Sequence, residues 1–401
     1  MSTQNSLLPE DQLILAVVKL QPSGSELLKL NALIAQVEDW DYLITTIIAR
    51  GIGPLFYKKL PLLTNSTLIP AEISTKLQQV YYKTFSRSMV LYEHFRKVST
   101  AFNAHQIPVI ALKGIYLSEW LYQDIGLRQF SDIDLLVKEE DGARCIAMLE
   151  ELGYVASKSQ FSSIVSTQLA KNAVHYPPMI KDGVSIEVHI RLHHKTESYH
   201  IIIPTVWSNA RPAIVNTVPV LVLSDVDLLI HLCLHLDKHF KIGQVQFTCF
   251  TDISNLLEKD ADVMDWEKLS EVCRLYRCEE IVFQYIVLVN KYIQVTVPQD
   301  ILDKYSYLLT QKEEILFIKY LRGYDGTNSA ATKSGHFKYV KNLASVSEKV
   351  RYLGAVLFPS KEFMIRAYKI KEPKWVLFYY PFRYYLGIKG VVNSLSKKSK
   401  K

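Results

Sequence analysis

The segment Ser131–Val137, with the sequence SDIDLLV, places two carboxylates two residues apart in a run typical of a buried strand. Because residues i and i+2 of a strand point to the same face, Asp132 and Asp134 would lie side by side while Ile133 enters the core. Two like charges at this spacing are unfavourable unless a cation lies between them. Surface strands carry such pairs by chance, but Mg²⁺ also binds one or two carboxylates together with phosphate oxygens. The pair therefore predicts a metal–phosphate site.

A third acidic residue, Glu187, lies in a later segment that alternates cleanly, SIEVHIRL from Ser185 to Leu192. Glu187, His189 and Arg191 would share one face of this strand, with apolar residues on the other face. One interpretation is an amphipathic edge strand whose polar face is solvated. The other makes Glu187 a third acidic ligand beside the aspartate pair, an arrangement that permits two-metal phosphoryl transfer.

Two basic residues and a glycine could bind phosphate near the aspartate pair. The apolar run IPVIALKG ends at Lys113 and Gly114 and a helical pattern follows, so a strand would end where a helix begins. Backbone N–H groups at a helix N-terminus favour phosphate, and Lys113 adds a point charge. Arg128, four residues before Asp132, is predicted either to be solvated at the surface or to make a bidentate phosphate contact.

Histidines recur around these segments. His175 and His189 could orient ligands or carry a proton, although a histidine on a strand is more often structural. Three more, His231, His235 and His239, follow one another at four-residue intervals and would drift slowly around one face of a helix. Their spacing is compatible with zinc binding, with a polar face that covers the predicted site, or with packing.

The surrounding pattern predicts the elements that must position these side chains. The first part of the chain has helical periodicity, including a long helix from about Ser74 to Ala104. Between about Ile107 and Val222 short apolar runs alternate with helical ones, and Asp182-Gly183 marks a tight hairpin. Helices return from Ser224. The predicted fold class is α+β, with a small mixed sheet embedded between helical segments.

Four regions follow from this pattern. They are an N-terminal helical region (1–105), an α/β domain that holds the predicted site (106–223), a helical domain (224–322), and a linker with a basic aromatic C-terminal region (323–401). The formal net charge is +7, but residues 331–401 carry 16 basic and 3 acidic side chains. The aromatic and basic side chains of this tail suit a packed C-terminal helix, an anionic membrane surface or, less well, nucleic acid.

Composition excludes several classes of protein. The chain has 401 residues, of which 49% are hydrophobic and 22% charged, and this excludes disordered, collagen-like and disulfide-rich proteins. No apolar run reaches the roughly 18 residues of a transmembrane helix, and the N-terminus lacks the basic start of a secretory signal. The five cysteines form no CxxC motif and are typical of free thiols. We therefore expect a cytoplasmic protein, with the tail a possible peripheral contact at the inner membrane face.

The combination of motifs resembles a known family. The segments LKG, GLRQFSDIDLLV, LxxLGY, VHY and IEVHIRL are similar to an uncharacterised bacterial nucleotidyltransferase family, NTP-transferase family five of the DNA polymerase beta-like superfamily. The resemblance covers most of residues 40–360. It implies a minimal nucleotidyltransferase domain in which Asp132 and Asp134 are metal ligands and Glu187 is the third acid.

The expected reaction is transfer of a nucleoside monophosphate from a nucleoside triphosphate to an acceptor hydroxyl of a small molecule or protein. Mg²⁺, with Mn²⁺ as a possible substitute, would be the cofactor, and nucleic acid is not expected as a partner. The nucleotide is expected to contact four residues: Lys113, Gly114, Arg128 and His189.

One feature departs from the family pattern. Active members of the superfamily usually carry Gly-Ser or Gly-Gly after the first strand, and the serine hydroxyl contacts phosphate. This chain has Lys113-Gly114-Ile115, which lacks the hydroxyl. The alternative hypothesis is therefore a catalytically silent module that keeps the fold and binds a nucleotide or a partner.

Overall fold

The computed structural model describes residues 7–157, 173–194, 197–242, 247–259 and 264–323, with shorter stretches between residues 346 and 385. The helices of residues 7–323 are α1 (Pro9–Val17), α2 (Gly24–Ile34), α3 (Trp40–Ala49), α4 (Gly53–Lys59), α5 (Ala71–Ala104), α6 (Lys113–Trp120), α7 (Gly142–Glu151), α8 (Ile203–Asn209), α9 (Asp225–Ile242), α10 (Thr248–Lys259), α11 (Trp266–Leu275), α12 (Glu279–Ile293), α13 (Gln299–Tyr305) and α14 (Gln311–Leu321). The strands are β1 (Ile110–Ala111), β2 (Asp132–Leu136), β3 (Val155–Ala156), β4 (Met179–Lys181), β5 (Val184–His189), β6 (Arg211–Val215) and β7 (Val218–Val222).

The seven strands form one mixed sheet in the order β3-β4-β5-β2-β1-β7-β6. Strand β2 lies near the middle, antiparallel to β1 and parallel to β5. The parallel ladder sets Asp134 opposite Glu187 and, one pleat further, Leu136 opposite His189. The two strands predicted to carry the acidic residues are therefore neighbours, and the predicted α+β fold class is confirmed.

The long helix α5 packs along this sheet and confirms the helix predicted from the periodicity. It runs for 34 residues and begins three residues before the predicted start. Its buried side chains include Leu77, Leu91, Phe95 and Phe102, which recur on one stripe at helical spacing. Most of the stability of a helix in a protein comes from packing of its apolar face rather than from helical propensity. Burial of this stripe therefore supplies much of the stability of α5.

Two tight hairpins connect strands of the sheet. Asp182 and Gly183 both adopt positive φ, at 50° and 71°, as a two-residue turn with the twist of the flanking strands requires. This confirms the hairpin predicted at these residues. A second hairpin turns at Asn216 and Thr217, also with positive φ, and joins β6 to β7. The sequence pattern did not resolve these two strands, because neither turn residue is glycine.

One large apolar core joins the sheet to the helices that precede and follow it. A second, small cluster lies in the C-terminal region, where Met364, Ile370 and Val376 are buried together. Residues 376–385 are helical, and Leu377 and Phe378 on this segment are about two-thirds exposed. Within the described residues, no helix is both long and apolar enough to cross a membrane. The predicted linker after Gly323 and the lysine-rich end after residue 385 lie outside the described residues.

Candidate active site

The carboxylates of β2 and β5 meet at one face of the sheet. Because Asp134 and Glu187 are opposite each other in a parallel ladder, and His189 follows Glu187 by two residues, all three side chains point to the same side. The Nε2 atom of His189 lies 2.7 Å from Oδ1 of Asp134 and 3.5 Å from Oε2 of Glu187. One donor atom from each residue can be chosen so that all three lie within 4.8 Å of one another.

Asp132 lies two residues before Asp134 and faces the same cavity, a space of about 250 Å³. It is less buried than Asp134 and lies outside the three-donor group. Burial, together with the negative charges of Asp134 and Glu187, raises the pKa of Asp132. The site therefore holds more negative charge than its own cations neutralise at this position.

Asp134 is the most enclosed carboxylate, only 5% exposed. Burial would by itself raise its pKa, but Lys113 and the hydrogen bond from His189 outweigh burial and hold the pKa well below its usual range. The Nζ atom of Lys113 lies 3.3 Å from Oδ1 of Asp134. Lys113 has a φ of 42°, which L-residues rarely adopt and which stores strain of order 1–3 kcal/mol at the start of α6.

Gly114 allows the loop before β2 to pack against the start of α6. A Cβ atom at this position would lie 2.8 Å from the ring of Phe130 and 2.9 Å from Nη1 of Arg128. Both contacts are closer than real Cβ atoms make, so any side chain would displace this loop. The glycine at the end of the first strand is therefore required by packing as well as by its expected proximity to phosphate.

Arg128 has an internal partner that the sequence did not reveal. Its Nε and Nη2 atoms donate to the two carboxylate oxygens of Asp252, at 2.9 and 2.6 Å, and the pair is fully buried. Tyr122 donates its hydroxyl to the same carboxylate at 2.7 Å. Asp252 lies on α10, so this network joins the loop before β2 to the helices that follow the sheet.

His175 lies beside Glu187 on the far side from Asp134. Its Nε2 atom lies 3.5 Å from Oε2 of Glu187, and its Nδ1 atom lies 2.6 Å from the carbonyl oxygen of Tyr176. Burial lowers the pKa of His175 more than Glu187 raises it. Its ring centre is 5.0 Å from that of His189, so two imidazoles flank one carboxylate.

Helix α9 forms the opposite side of the cavity with the four side chains His231, His235, Lys238 and His239. We call these four residues the helix wall, and Asp132, Asp134, Glu187 and His189 the sheet wall. The Nε2 atom of His231 is buried without a hydrogen-bond partner among the described residues. Burial and the charge of Lys113 hold the pKa values of His231 and His235 well below the usual histidine range.

A family model described as "Uncharacterised nucleotidyltransferase" matches residues 36–294, which contain every strand of the sheet and both walls of the cavity. The chain belongs to this family. A comparison with curated proteins found no match. Among solved structures, the solution structure of the antibiotic-resistance factor ANT(2'')-Ia is similar with 12% identity and a TM-score of 0.33. The similarity covers 52% of this chain and 99% of that one.

In this member of the family, the structure brings together the side chains that the sequence proposed. Asp132, Asp134, Glu187, Lys113, Gly114, Arg128 and His189 all border the same cavity. Their catalytic, nucleotide-binding and metal-binding roles stay predictions. The three α9 histidines also border this cavity, and the three interpretations of their role stay predictions.

Sequence reasoning missed several residues of the cavity, among them Lys238 and Asp252. Lys238 lies three residues after His235 on the same helix face, so the helical period could have found it. Asp252 had no such signal, because its partner Arg128 lies 124 residues earlier in the chain. A buried acid in an otherwise enclosed helix requires a partner, but the sequence does not say which one.

Proposed function

We propose that this protein transfers a nucleoside monophosphate from a nucleoside triphosphate to an acceptor hydroxyl, with Mg²⁺ as cofactor. The observation that carries this proposal is the sheet wall itself. Three carboxylates, Asp132, Asp134 and Glu187, face one cavity in which Lys113 and Gly114 lie at the start of a helix. Carboxylates that bind metal opposite groups that bind phosphate are the components that phosphoryl transfer requires.

The carboxylates present suit a divalent cation. Asp132 is partly buried, and its raised pKa reflects desolvation together with repulsion from Asp134 and Glu187. A divalent cation would relieve this repulsion, and Mg²⁺ is commonly held by one or two carboxylates plus phosphate oxygens. Asp132 and Asp134 would hold the ion, with Glu187 completing the site. When bound, Mg²⁺ would neutralise charge on the phosphate oxygens.

The remaining residues have separate tasks in this proposal. Lys113, fixed beside Asp134, would present its ammonium group to the phosphates and offset charge in the transition state. Glu187 would accept the proton of the acceptor hydroxyl. Arg128 would contribute through Nη1, which lies against Gly114, because its other two donor atoms are engaged by Asp252.

Asp132→Asn tests the proposal. The change removes a repelled charge, so we expect the free protein to keep its fold and melt at the same or a slightly higher temperature. Wild-type protein should gain about 2–3 kcal/mol of stability when Mg²⁺ and triphosphate are present at about 100 times their Kd, and the variant should gain none. Thermal melts with and without both additives measure this difference.

The matched control is Asp182→Asn, which makes the same chemical change on an exposed hairpin of the same sheet. It should respond to the additives as the wild type does. A wild-type melting temperature that ignores Mg²⁺ and triphosphate would contradict the proposal. That result would favour the silent module, in which Lys113 and His189 alone neutralise Asp134.

We also propose a cytoplasmic location with peripheral membrane contact through the C-terminal region. This proposal is supported by four exposed apolar side chains on residues 375–382, next to basic ones: Trp375, Leu377, Phe378 and Phe382. Full-length protein should sediment with anionic liposomes at low salt, and a version that ends before Lys371 should do so much less. Equal sedimentation of both versions, or none, would contradict the proposal.

A further inference from the structure

Histidine nitrogens lie beside the carboxylates of the sheet wall, and they bear on which metal ion this part of the cavity would prefer. We propose that Asp134, Glu187 and His189, with His175 beside them, form a metal position that prefers a first-row transition ion to Mg²⁺. This inference rests on the proposed function for its role, because the position would adjoin the one held by Asp132 and Asp134. It can be tested by metal binding alone.

The first support is geometric. Ligands of one metal ion at about 2.0–2.2 Å lie no more than about 4.4 Å apart, and one atom from each of the three residues lies within 4.8 Å of the others. The β2–β5 ladder holds all three residues on one face of neighbouring strands, and side-chain rotation would supply the remaining approach to a common ion. Asp132 is outside this group although it is only two residues from Asp134.

The second support is the orientation of His175. Its Nδ1 atom lies 2.6 Å from a carbonyl oxygen, which can only accept a hydrogen bond, so Nδ1 carries the proton. In the neutral ring the lone pair is then on Nε2, which faces Oε2 of Glu187 at 3.5 Å. A cation bound beside these two atoms would be held by the lone pairs of both, next to Nε2 of His189, which also lies 3.5 Å from Oε2 of Glu187. An N–H bonded to a backbone carbonyl is also how metal-binding histidines are usually oriented.

The third support is the chemistry of the donors. Mg²⁺ is a hard cation that prefers oxygen ligands and gives up its waters reluctantly. Imidazole nitrogen suits transition ions instead. His189 is 4% exposed and Asp134 is 5% exposed, so an ion at this position must also shed several waters. Both the nitrogen ligand and the burial select against Mg²⁺.

The test uses full-length protein and Mn²⁺, which is paramagnetic. Calorimetry should show that wild-type protein binds Mn²⁺ at least about ten-fold more tightly than Mg²⁺ in the absence of nucleotide. Pulsed electron paramagnetic resonance of the Mn²⁺ complex should show modulation from an imidazole ¹⁴N nucleus. His189→Gln keeps an amide donor for Asp134 but removes the nitrogen ligand, so the modulation should disappear.

Histidine variants distinguish a residue that binds the metal from one that only lies near it. His189→Gln should weaken Mn²⁺ binding by at least the roughly 10–100-fold that even loss of an outer partner causes, and His175→Gln should weaken it by about ten-fold. His105→Gln, at the exposed end of α5, is the matched control and should change neither affinity nor spectrum. If His189→Gln does not fold, the wild-type spectrum together with His175→Gln decides the question.

Two results would overturn the inference: a Mn²⁺ spectrum without ¹⁴N modulation, or equal affinities for Mn²⁺ and Mg²⁺. His189 would then be only a hydrogen-bond partner of Asp134. The proposed function fails separately. A nitrogen-bearing Mn²⁺ site in a protein that ignores triphosphate would retain the metal position and reject nucleotidyl transfer.

Discussion

The two walls of the cavity face each other but differ in how they are built. The sheet wall places its four side chains on neighbouring strands, whose ladder fixes their spacing. Two of its carboxylates, Asp134 and Glu187, lie within 3.5 Å of a lysine or histidine nitrogen. The helix wall places its side chains along one face of α9, and the Nε2 of His231 is left without a partner among the described residues. The strand ladder therefore sets the spacing of the sheet wall before a ligand arrives, and each wall keeps a buried imidazole nitrogen without a partner among the described residues, Nδ1 of His189 and Nε2 of His231.

The buried Arg128–Asp252 ion pair joins the loop before β2 to helix α10, which follows the helix wall in the chain. We predict that Asp252→Ala destabilises the protein by about 3–5 kcal/mol, because it leaves the Arg128 guanidinium buried without a partner. Denaturant unfolding measures the loss. Replacing both residues, as Arg128→Met with Asp252→Leu, should recover much of the stability.

Amide hydrogen exchange of Asp252→Ala would show which parts of the fold the ion pair connects. Faster exchange in α10 and the loop before β2, with unchanged protection in β5, would show that the pair joins two otherwise separate units. A loss below about 1 kcal/mol in Asp252→Ala would mean that apolar packing, not this ion pair, joins α10 to the loop before β2.

Three histidines of the cavity and Asp134 should affect stability in different ranges of pH. Burial lowers the pKa of His193, which borders the cavity, to about 4, and those of His231 and His235 also lie below the ordinary value. A histidine with a lowered folded pKa binds fewer protons in the folded state, so its stabilising effect is complete above pH 6.5 and is lost as pH falls toward the folded pKa. Asp134, with a depressed pKa, loses its effect only below about pH 4.

We therefore predict that these three histidines lose about 1–3 kcal/mol of stabilising effect between pH 6.5 and 4, before Asp134 loses its own. Unfolding free energies across this range measure it. His231→Gln cannot titrate and should flatten the slope, whereas His105→Gln should not. A slope that His231→Gln leaves unchanged would place the acid sensitivity outside the helix wall.

The smallest effect should come from Lys238, an exposed cation of the helix wall with no ion pair or hydrogen bond among the described residues. Lys238→Met removes about 1 kcal/mol of attraction to an anionic substrate, which corresponds to roughly a five-fold increase in KM. The melting temperature should not change, and the effect should shrink as salt is added. Lys76→Met, on the exposed face of α5, is the control. Equal kinetics for both variants would mean that the helix wall contributes no charge to binding.

The sheet wall could be predicted from sequence because its information is local. The spacing of Asp132 and Asp134 and the alternation around Glu187 fix which face each side chain occupies, and the family resemblance pairs the two strands. The helix wall was visible only as a row of histidines with several interpretations. Nothing local shows that α9 borders the same cavity as Asp134, since helix position depends on long-range packing.

Other features escaped prediction for similar reasons. The turn at Asn216 and Thr217 uses positive φ without glycine, so no turn signal marked the hairpin between β6 and β7. His189 was expected at the nucleotide, which stays a prediction, but its 2.7 Å contact with Asp134 was not foreseen. A histidine on an alternating strand shows its face but not its partner, and the partner here lies 55 residues earlier.

The order of strands in the sheet has a consequence for synthesis of the chain. β2 is made early, yet its neighbour β5 ends 55 residues after Asp134, and β7, which flanks β1, ends only at Val222. At roughly 5–20 residues per second, several seconds pass on the ribosome before β2 gains its second partner. During that time the apolar strand IDLLV presents an unpaired edge to solvent. The aspartates at its start keep that nascent edge charged, which opposes pairing with other chains until β5 arrives.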